Sequence, residues 1–278
     1  MSIKEAILWG KAELEIAGIE NTSRDAEIIL SFTLKKERAS LHAYPEYVLT
    51  DSEEKKYREN ILRRKNREPM AYIRGYAHFF GREFLVNEHT LIPREETELL
   101  VEEVLRLAKP NDTVIDVGTG SGIIAITLKL ERPDLNVFAS DISDGALKIA
   151  KENSDILGAK INFQQDHLIS SAENNSLDII AANLPYIPPT DEINLMAEVK
   201  NFEPHTALFA KDEGLALIYE LILTAKYKLK ENGRIILEVG MGQSEKVVDF
   251  FEKIGYNNIS VIKDYAEIER VISAKNPK

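Results

Sequence analysis

The apolar run Val114-Ile115-Asp116-Val117 passes directly into Gly118-Thr119-Gly120-Ser121-Gly122 and then into a second apolar stretch starting at Ile123. A buried strand that ends in alternating glycines and re-enters the chain as a helix leaves few architectures open. It is expected to be the first strand–turn–helix unit of an open α/β sheet, whose turn sits at the carboxyl edge where ligands bind. Glycines let that backbone turn tightly and approach a ligand closely, and free N–H groups at the helix start favour an anionic group. The spacing is G-x-G-x-G, whereas a dinucleotide fold asks for G-x-G-x-x-G, so the turn favours another nucleotide-like cofactor.

The rest of the chain extends this alternation. From Glu95 onward the patterning predicts helices over 95–108, 122–131, 144–157, 214–230 and 243–254, and strands over 113–118, 136–141, 161–165, 177–182, 233–239 and 258–263. Strands separated by helices imply a doubly wound, mainly parallel, Rossmann-like sheet of the α/β class. A last strand near Glu267 to Ser273 follows without an intervening helix, so it is expected to pair antiparallel at or near the edge, with the tail from Ala274 to Lys278 frayed. Upstream, Ile3, Ile7, Leu8 and Leu14 recur at helical intervals, and Ser2 with Glu5 and Asp51 with Glu54 are spaced as capping boxes. Between the two regions, Tyr72, Ile73, Phe79, Phe80, Phe84 and Leu85, punctuated by Gly75 and Gly81, predict a β-hairpin that could also shape the mouth of the site. The expected domains are a helical domain over 1–70, a hairpin linker over 71–93 and an α/β domain over 94–278.

Two further strand ends carry candidate chemistry. Asp141 closes the strand Val137-Phe138-Ala139-Ser140, where a carboxylate can accept from both hydroxyls of a ribose, as NAD and S-adenosylmethionine sites require. After the third strand, Asp166 is placed to accept from an adenine amino group and His167 to pack on the ring. The strand Leu177 to Ala182 ends in Asn183-Leu184-Pro185-Tyr186, at the same carboxyl edge. An amide or aromatic amine is a poor nucleophile because its lone pair is delocalised. The Asn183 side-chain oxygen and the Leu184 carbonyl can each accept one N–H of a target NH₂ group and favour positive charge developing on its nitrogen. Pro185 fixes the backbone that presents that carbonyl, and Tyr186 offers a flat face for stacking. Together the glycine turn and this corner point to methyl transfer to a planar nitrogen.

Composition narrows the partners. The chain's 278 residues are 44% hydrophobic, enough for one α/β core and a satellite domain. It contains no cysteine, which excludes disulfides and thiolate metal sites, and its five histidines lack ligand spacing, so no metal is expected. A formal net charge of −11 disfavours a broad phosphate-binding groove, and direct nucleic-acid binding is not expected. The basic runs Lys35-Lys36-Glu37-Arg38 and Arg63-Arg64-Lys65-Asn66-Arg67 read as solvated helix faces or, alternatively, as contacts for RNA or an acidic partner. Charged residues near Met1 and Glu220 within the most apolar helix argue against export and membrane insertion, and a cytoplasmic location is expected.

On these residues the sequence resembles the release-factor glutamine methyltransferases of the PrmC/HemK type along nearly its whole length. The resemblance is carried by Arg67-Glu68-Pro69-Met70-Ala71-Tyr72-Ile73-Arg74-Gly75, by Phe84, by Leu91-Ile92-Pro93-Arg94-Glu95-Glu96-Thr97-Glu98, by the glycine turn and the Asn183 corner, and by Glu203-Pro204 and Ala207-Leu208-Phe209 before Gly214-Leu215. It implies methyl transfer from S-adenosylmethionine to the glutamine of the Gly-Gly-Gln loop of class 1 peptide chain release factors, with the helical domain helping to hold the factor. It also implies that Gly118, Thr119, Gly120, Ser121, Gly122, Asp141, Asp166, His167 and Asn183 contact the cofactor and that Asn183 to Tyr186 contact the substrate; a monomer is expected. Three departures stand out: Leu184 where the family usually has Pro, Glu95-Glu96 in place of Pro-Asp or Pro-Glu, and His167 where Trp is frequent. Pro93 and Arg94 either end the hairpin and lead into the next helix or touch the substrate.

Other acceptors stay open at this level: a ribosomal-protein glutamine, or an exocyclic amine of RNA or DNA. A non-catalytic module that holds a translation factor is opposed by Gly118, Gly120, Asp141 and Asn183. A NAD-dependent dehydrogenase is opposed by the glycine spacing.

Overall fold

The computed structural model describes residues 1–277. The chain forms two compact units. One comprises Met1–Tyr76 together with Met196–Phe202, and the other comprises Ala77–Leu195 and the chain from Glu203 onward. The expected boundaries at 70 and 93 did not anticipate the short return of 196–202 to the helical unit.

The helical unit contains α1 (Ile3–Ile16), α2 (Thr22–Leu34), α3 (Arg38–Ala43), α4 (Asp51–Lys65) and α5 (Met70–Arg74). Ile3, Ala6 and Leu14 of α1 pack with Ile29 and Leu30 of α2 and with Tyr57 and Ile61 of α4, whereas Leu8 is exposed. Burying each large apolar side chain contributes roughly 1.5–3 kcal/mol. The Tyr57 hydroxyl, inside this core, donates to Ala6 O at 3.1 Å. Ser2 and Glu5 form the expected capping box. The second box is shifted by one residue. Thr50 caps α4 and exchanges bonds with Glu53, while Glu54 pairs with the Met1 amine at 2.7 Å and with Arg58 at 2.9 Å. The sequence Thr50-Asp51-Ser52-Glu53-Glu54 contains the required spacing twice, and Glu54 is engaged by Met1 and Arg58 instead of by a cap.

The basic run in α4 is not a solvated face. Arg64, whose side chain is 11% exposed, pairs with Asp25 at 2.7 Å and Glu198 at 3.0 Å. Lys65 pairs with Glu13, Arg63 with Glu68, and Arg67 with the carbonyls of Ala17 and Gly18. Glu198 lies on α9 (Ala197–Phe202), the segment that returns to this unit.

The hairpin is shorter than its apolar pattern. Tyr72 and Ile73 belong to α5, and strands form only over β1 (Tyr76–Phe79) and β2 (Arg82–Leu85). Phe80 and Gly81 both take positive φ, 50° and 72°, which suits a two-residue turn between twisted strands. Phe79 and Phe84 are buried with α6 (Thr97–Leu107) rather than lining a site mouth.

The α/β unit continues with β3 (Thr113–Val117), α7 (Ile123–Glu131), β4 (Asn136–Asp141), α8 (Asp144–Leu157), β5 (Asn162–Gln165) and β6 (Leu177–Ala182). After a 3₁₀ turn at Pro189–Asn194 and α9 come α10 (His205–Leu208), α11 (Ala216–Lys228), β7 (Leu229–Glu238), α12 (Ser244–Ile254), β8 (Asn257–Lys263) and β9 (Glu269–Lys275). Among the described residues these strands form a seven-stranded sheet of order β5-β4-β3-β6-β7-β9-β8. The pairs from β5 through β7 are parallel, and β9 runs antiparallel between β7 and β8. Val114, Ile179, Ala181 and Ile236 face α6 and α7, while Ile115, Val117, Ile180, Ile235 and Leu237 face α11 and α12. Strands buried on both faces explain their unbroken apolar runs.

The final strand is antiparallel as expected, but it is paired on both sides, so the chain does not fray at Ala274. Asn276 is buried and its N–H donates to Gly233 O at 2.8 Å. Lys278 lies outside the described residues.

Candidate active site

The sheet order reverses at β3: the chain moves outward to β4 and β5, then crosses back to β6 on the other side of β3. Such a switch point opens a crevice at the carboxyl ends of the strands. Val117 stands opposite Ala182 in the β3–β6 register, so the glycine turn and the Asn183 corner leave the sheet at the same level. Both then line one cavity of about 320 Å³.

The turn is pinned from beneath. Gly118 N and Thr119 N both donate to Ser140 O, at 2.9 and 3.0 Å. Gly118 has φ 73°, where a side chain is strained, and a Cβ there would stand 3.2 Å from Leu184 Cδ2, so glycine lets the two motifs approach without displacing Leu184. Asp116 lies below the turn, fully buried. Its Oδ2 accepts from Thr119 Oγ1 at 2.6 Å and from Ala125 N at 3.2 Å, while its Oδ1 has no partner among the described residues. Burial pushes its carboxyl up to about 7, against the pull of those two donors.

Asp141 accepts from Gly120 N at 2.9 Å and from Ser143 N at 2.8 Å, one on each oxygen. Burial raises its pKa, and the backbone donors oppose the rise. The two bonds hold the carboxylate at the cavity wall with lone pairs to spare on both oxygens.

The Asn183 corner is supported from three directions. Asn183 Nδ2 donates to Thr97 Oγ1 at 3.0 Å, and that hydroxyl donates to Glu238 Oε2 at 2.7 Å. Gln243 Nε2 donates to Tyr186 O at 2.8 Å, while its Oε1 accepts from Gly240 N. Gly214, at φ 86°, passes so near that a Cβ would lie 2.0 Å from Tyr186 O. Beyond the corner, Ile187 bridges to Phe209 in parallel sense.

Most residues expected at the site converge on the cavity. Gly118, Thr119, Gly120 and Ser121 line it, as do Asp141, Asp166, His167, Asn183, Leu184 and Pro185. Gly122 and Tyr186 do not. Gly122 is the N-cap of α7, packed near Ile126 and Ala150. The Tyr186 ring packs into the core near Gly240. Burial, and secondarily Glu238, pushes its phenol up to about 12.

Asp166 is already engaged, accepting from Ser171 N at 3.0 Å and from the Ser170 and Ser171 hydroxyls. Burial would raise its pKa, but these donors outweigh it and leave the carboxyl below its usual range. His167 Nε2 lies 2.8 Å from Glu220 Oε1.

Sequence reasoning missed several supports. His89 lines the cavity and its ring rests against Gly145. Arg94, for which the sequence left substrate contact open, lines it too, and its guanidinium donates at 2.6 Å to Glu203, a buried carboxylate that further accepts from Ile92 N and that the sequence left unassigned. Thr97, Asp116 and Glu238 were likewise unassigned. Acidic residues within apolar runs were the available signal for Asp116 and Glu238, since a buried carboxylate needs a reason. Nothing local marked Thr97.

Comparison with known proteins agrees with this geometry. Residues 5–75 match the PrmC N-terminal domain and residues 95–199 match the methyltransferase small domain. A release factor glutamine methyltransferase from Koribacter versatilis is 39% identical over 281 residues, spanning 100% of this chain and 99% of that protein. The chain belongs to the release factor glutamine methyltransferases. Another protein of that name, from Shewanella oneidensis, is 36% identical over 98% of this chain and 96% of its own length. A solved methyltransferase from Pyrococcus furiosus shares the fold, with a TM-score of 0.54 at 14% identity over 80% of this chain and 98% of that one. As a member of this family, the protein is an S-adenosylmethionine-dependent methyltransferase.

Proposed function

We propose that this release factor glutamine methyltransferase transfers the methyl group of S-adenosylmethionine to the side-chain amide nitrogen of the glutamine in the Gly-Gly-Gln motif of class 1 peptide chain release factors. The observation that carries the reading is the shared cavity of about 320 Å³, walled on one side by Gly118 to Ser121 and on the other by Asn183 to Pro185. Similarity to proteins named for this activity, over both the helical and the α/β regions, supports the acceptor.

Two observations support the fit of the cofactor. Among the described residues no neighbouring atom stands within 4 Å of the place a Cβ would take on Gly120, and Asp141, held by Gly120 N and Ser143 N, lines the same cavity with lone pairs to spare. Gly118 to Ser121, Asp141, Asp166 and His167 would hold the cofactor, with Asp141 accepting from its ribose hydroxyls. When bound, S-adenosylmethionine supplies a methyl carbon on a positively charged sulfur.

The protein's task is orientation. Asn183 Oδ1 and the Leu184 carbonyl accept the two N–H bonds of the glutamine amide, fix its plane and favour positive charge on its nitrogen as the new bond forms. The carbonyl of Leu184 serves as well as that of a proline would, and Pro185 restricts the following backbone. The surplus proton leaves the methylated nitrogen to water, so no general base is assigned. Tyr186, whose ring packs toward the core near Gly240, anchors the corner through its carbonyl, which accepts from Gln243 Nε2 at 2.8 Å. The helical domain over 1–70 holds the factor, 71–93 links it to the α/β domain over 94–278, and the enzyme works as a metal-free cytoplasmic monomer without direct nucleic-acid binding.

A methyl-transfer assay with labelled cofactor, offering release factor, ribosomal protein and RNA side by side, tests the proposal. Label is expected in the release factor and absent when its motif glutamine is replaced by alanine. Label in the ribosomal protein or RNA instead would overturn it.

A further inference from the structure

Among the described residues Asn183 is held at only one end of its amide, and the partner's chemistry decides which end. The Thr97 hydroxyl carries one proton, and that proton is directed at Glu238 Oε2, 2.7 Å away. Thr97 is 1% exposed and Glu238 2% exposed, so water does not replace either partner freely. Toward Asn183, 3.0 Å away, Thr97 therefore presents a lone pair, which only the NH₂ end of the amide can meet. Asn183 Oδ1 is left for the cavity that Asn183 lines.

We propose that Thr97 and Glu238 are positioning residues that act through Asn183: by fixing its oxygen toward the acceptor, they make the site select a group with N–H donors, a primary amide or aromatic amine, over a carboxylate. The inference rests on the proposed role of Asn183 in binding the acceptor. It adds a reason why an asparagine, whose two ends are nearly the same shape, presents one end consistently. Were the amide reversed, its NH₂ would face the NH₂ of the acceptor, two donors opposed, and the site would instead suit a carboxylate.

The sense of the relay depends on Glu238 accepting. Burial pushes its carboxyl up to about 7, while Thr97, Arg270 and Asn183 pull it down and Glu96 adds to the rise. The phenol of Tyr186 also feels its charge. Once protonated, Glu238 can donate to Thr97, which releases the hydroxyl proton for Asn183 Oδ1 and lets the amide reverse.

The test compares wild type with Thr97→Val, Thr97→Ser and Glu238→Gln in the full-length enzyme. Thr97→Val is expected to lower kcat about 30- to 100-fold, the scale of a misplaced reacting group, with cofactor affinity unchanged. Thr97→Ser should recover wild-type kcat. Wild-type kcat should rise with pH through about 7, and this step should vanish in Glu238→Gln, whose amide oxygen can still accept from Thr97.

Side-chain ¹⁵N–H signals provide an arm independent of the acceptor. The Asn183 pair, assigned by its loss in Asn183→Asp, should exchange slowly with solvent in wild type and Thr97→Ser and rapidly in Thr97→Val. Wild-type kcat in Thr97→Val, or an Asn183 pair equally protected there, would overturn the relay. If wild type labels no glutamine acceptor, the proposed function fails, and the NMR arm still decides the relay.

Discussion

Val117 and Ala182 face one another in the parallel register of β3 and β6, and the residues that follow them, Gly118 and Asn183, begin the two walls of one cavity. The pairing converts a separation of about sixty residues into adjacent positions on a single sheet edge. It makes the chemistry at one strand end sensitive to the backbone at the other.

Asn183→Ala removes an acceptor aimed at the reacting nitrogen without touching the glycine turn. Turnover should fall by at least about 100-fold, the usual loss when one such preorganised group is deleted. Cofactor binding, measured by titration calorimetry, should persist. Normal turnover would refute the assigned role.

Gly118→Ala tests the approach of the two motifs. At φ 73° a side chain costs about 1–2 kcal/mol, and the new Cβ would press on Leu184 from 3.2 Å. Cofactor affinity should weaken by about tenfold or more, 1.4 kcal/mol per decade, and thermal unfolding should come earlier. Unchanged affinity would show that the turn tolerates a side chain.

The buried Glu238 predicts a pH effect of definite sign. Its folded pKa is raised from 4.5 to about 7, so the folded state binds the proton more tightly, and the resulting stabilisation is complete below 4.5 and lost as pH rises through 7. Relative to wild type, Glu238→Gln should therefore gain stability across that window, by about 3 kcal/mol as an order of magnitude. Urea titrations at pH 4.5 and 8 measure the difference. A constant offset between the two proteins would mean that Glu238 stays charged throughout.

The capping register of α4 can be read directly. Thr50→Ala should cost about 1 kcal/mol by removing the cap, and Asp51→Ala only a few tenths. Equal losses in urea titrations would favour the alternative register.

In the helical unit, Arg64→Ala strands the carboxylates of Asp25 and Glu198, which now share one guanidinium. With the Arg64 side chain only 11% exposed, about 3 kcal/mol should be lost in urea unfolding. A loss below about 1 kcal/mol would place the pair in the weak class of surface bridges.

The readings that held share a physical basis: each depended on local periodicity or on residues only a few positions apart. The parallel sheet, the glycine turn and the strand carrying Asn183 are written in runs such as Val114 to Gly122. The readings that failed involved a choice between nearly equivalent local options. Thr50 and Asp51 both offer a cap oxygen three residues before a glutamate, and in the fold Glu53 serves the cap while Glu54 meets the distant Met1 amine and Arg58. The Arg63 to Arg67 run looks solvated until Asp25, Glu13 and Glu198 arrive from other helices. Tyr186 follows Pro185 directly, yet its ring turns to the core because Gly240 leaves room there.

By itself the sequence determined which segments become strand and helix, and that a glycine turn and an amide-bearing corner each end a strand, because these follow from side-chain periodicity and backbone stereochemistry. Only the tertiary structure decided that β3 and β6 are neighbours in register and that Thr97, 86 residues before Asn183, stands between it and Glu238. Hydrogen bonds across such separations exist only once the sheet has closed and removed the competing water, so no local pattern in the chain encodes them.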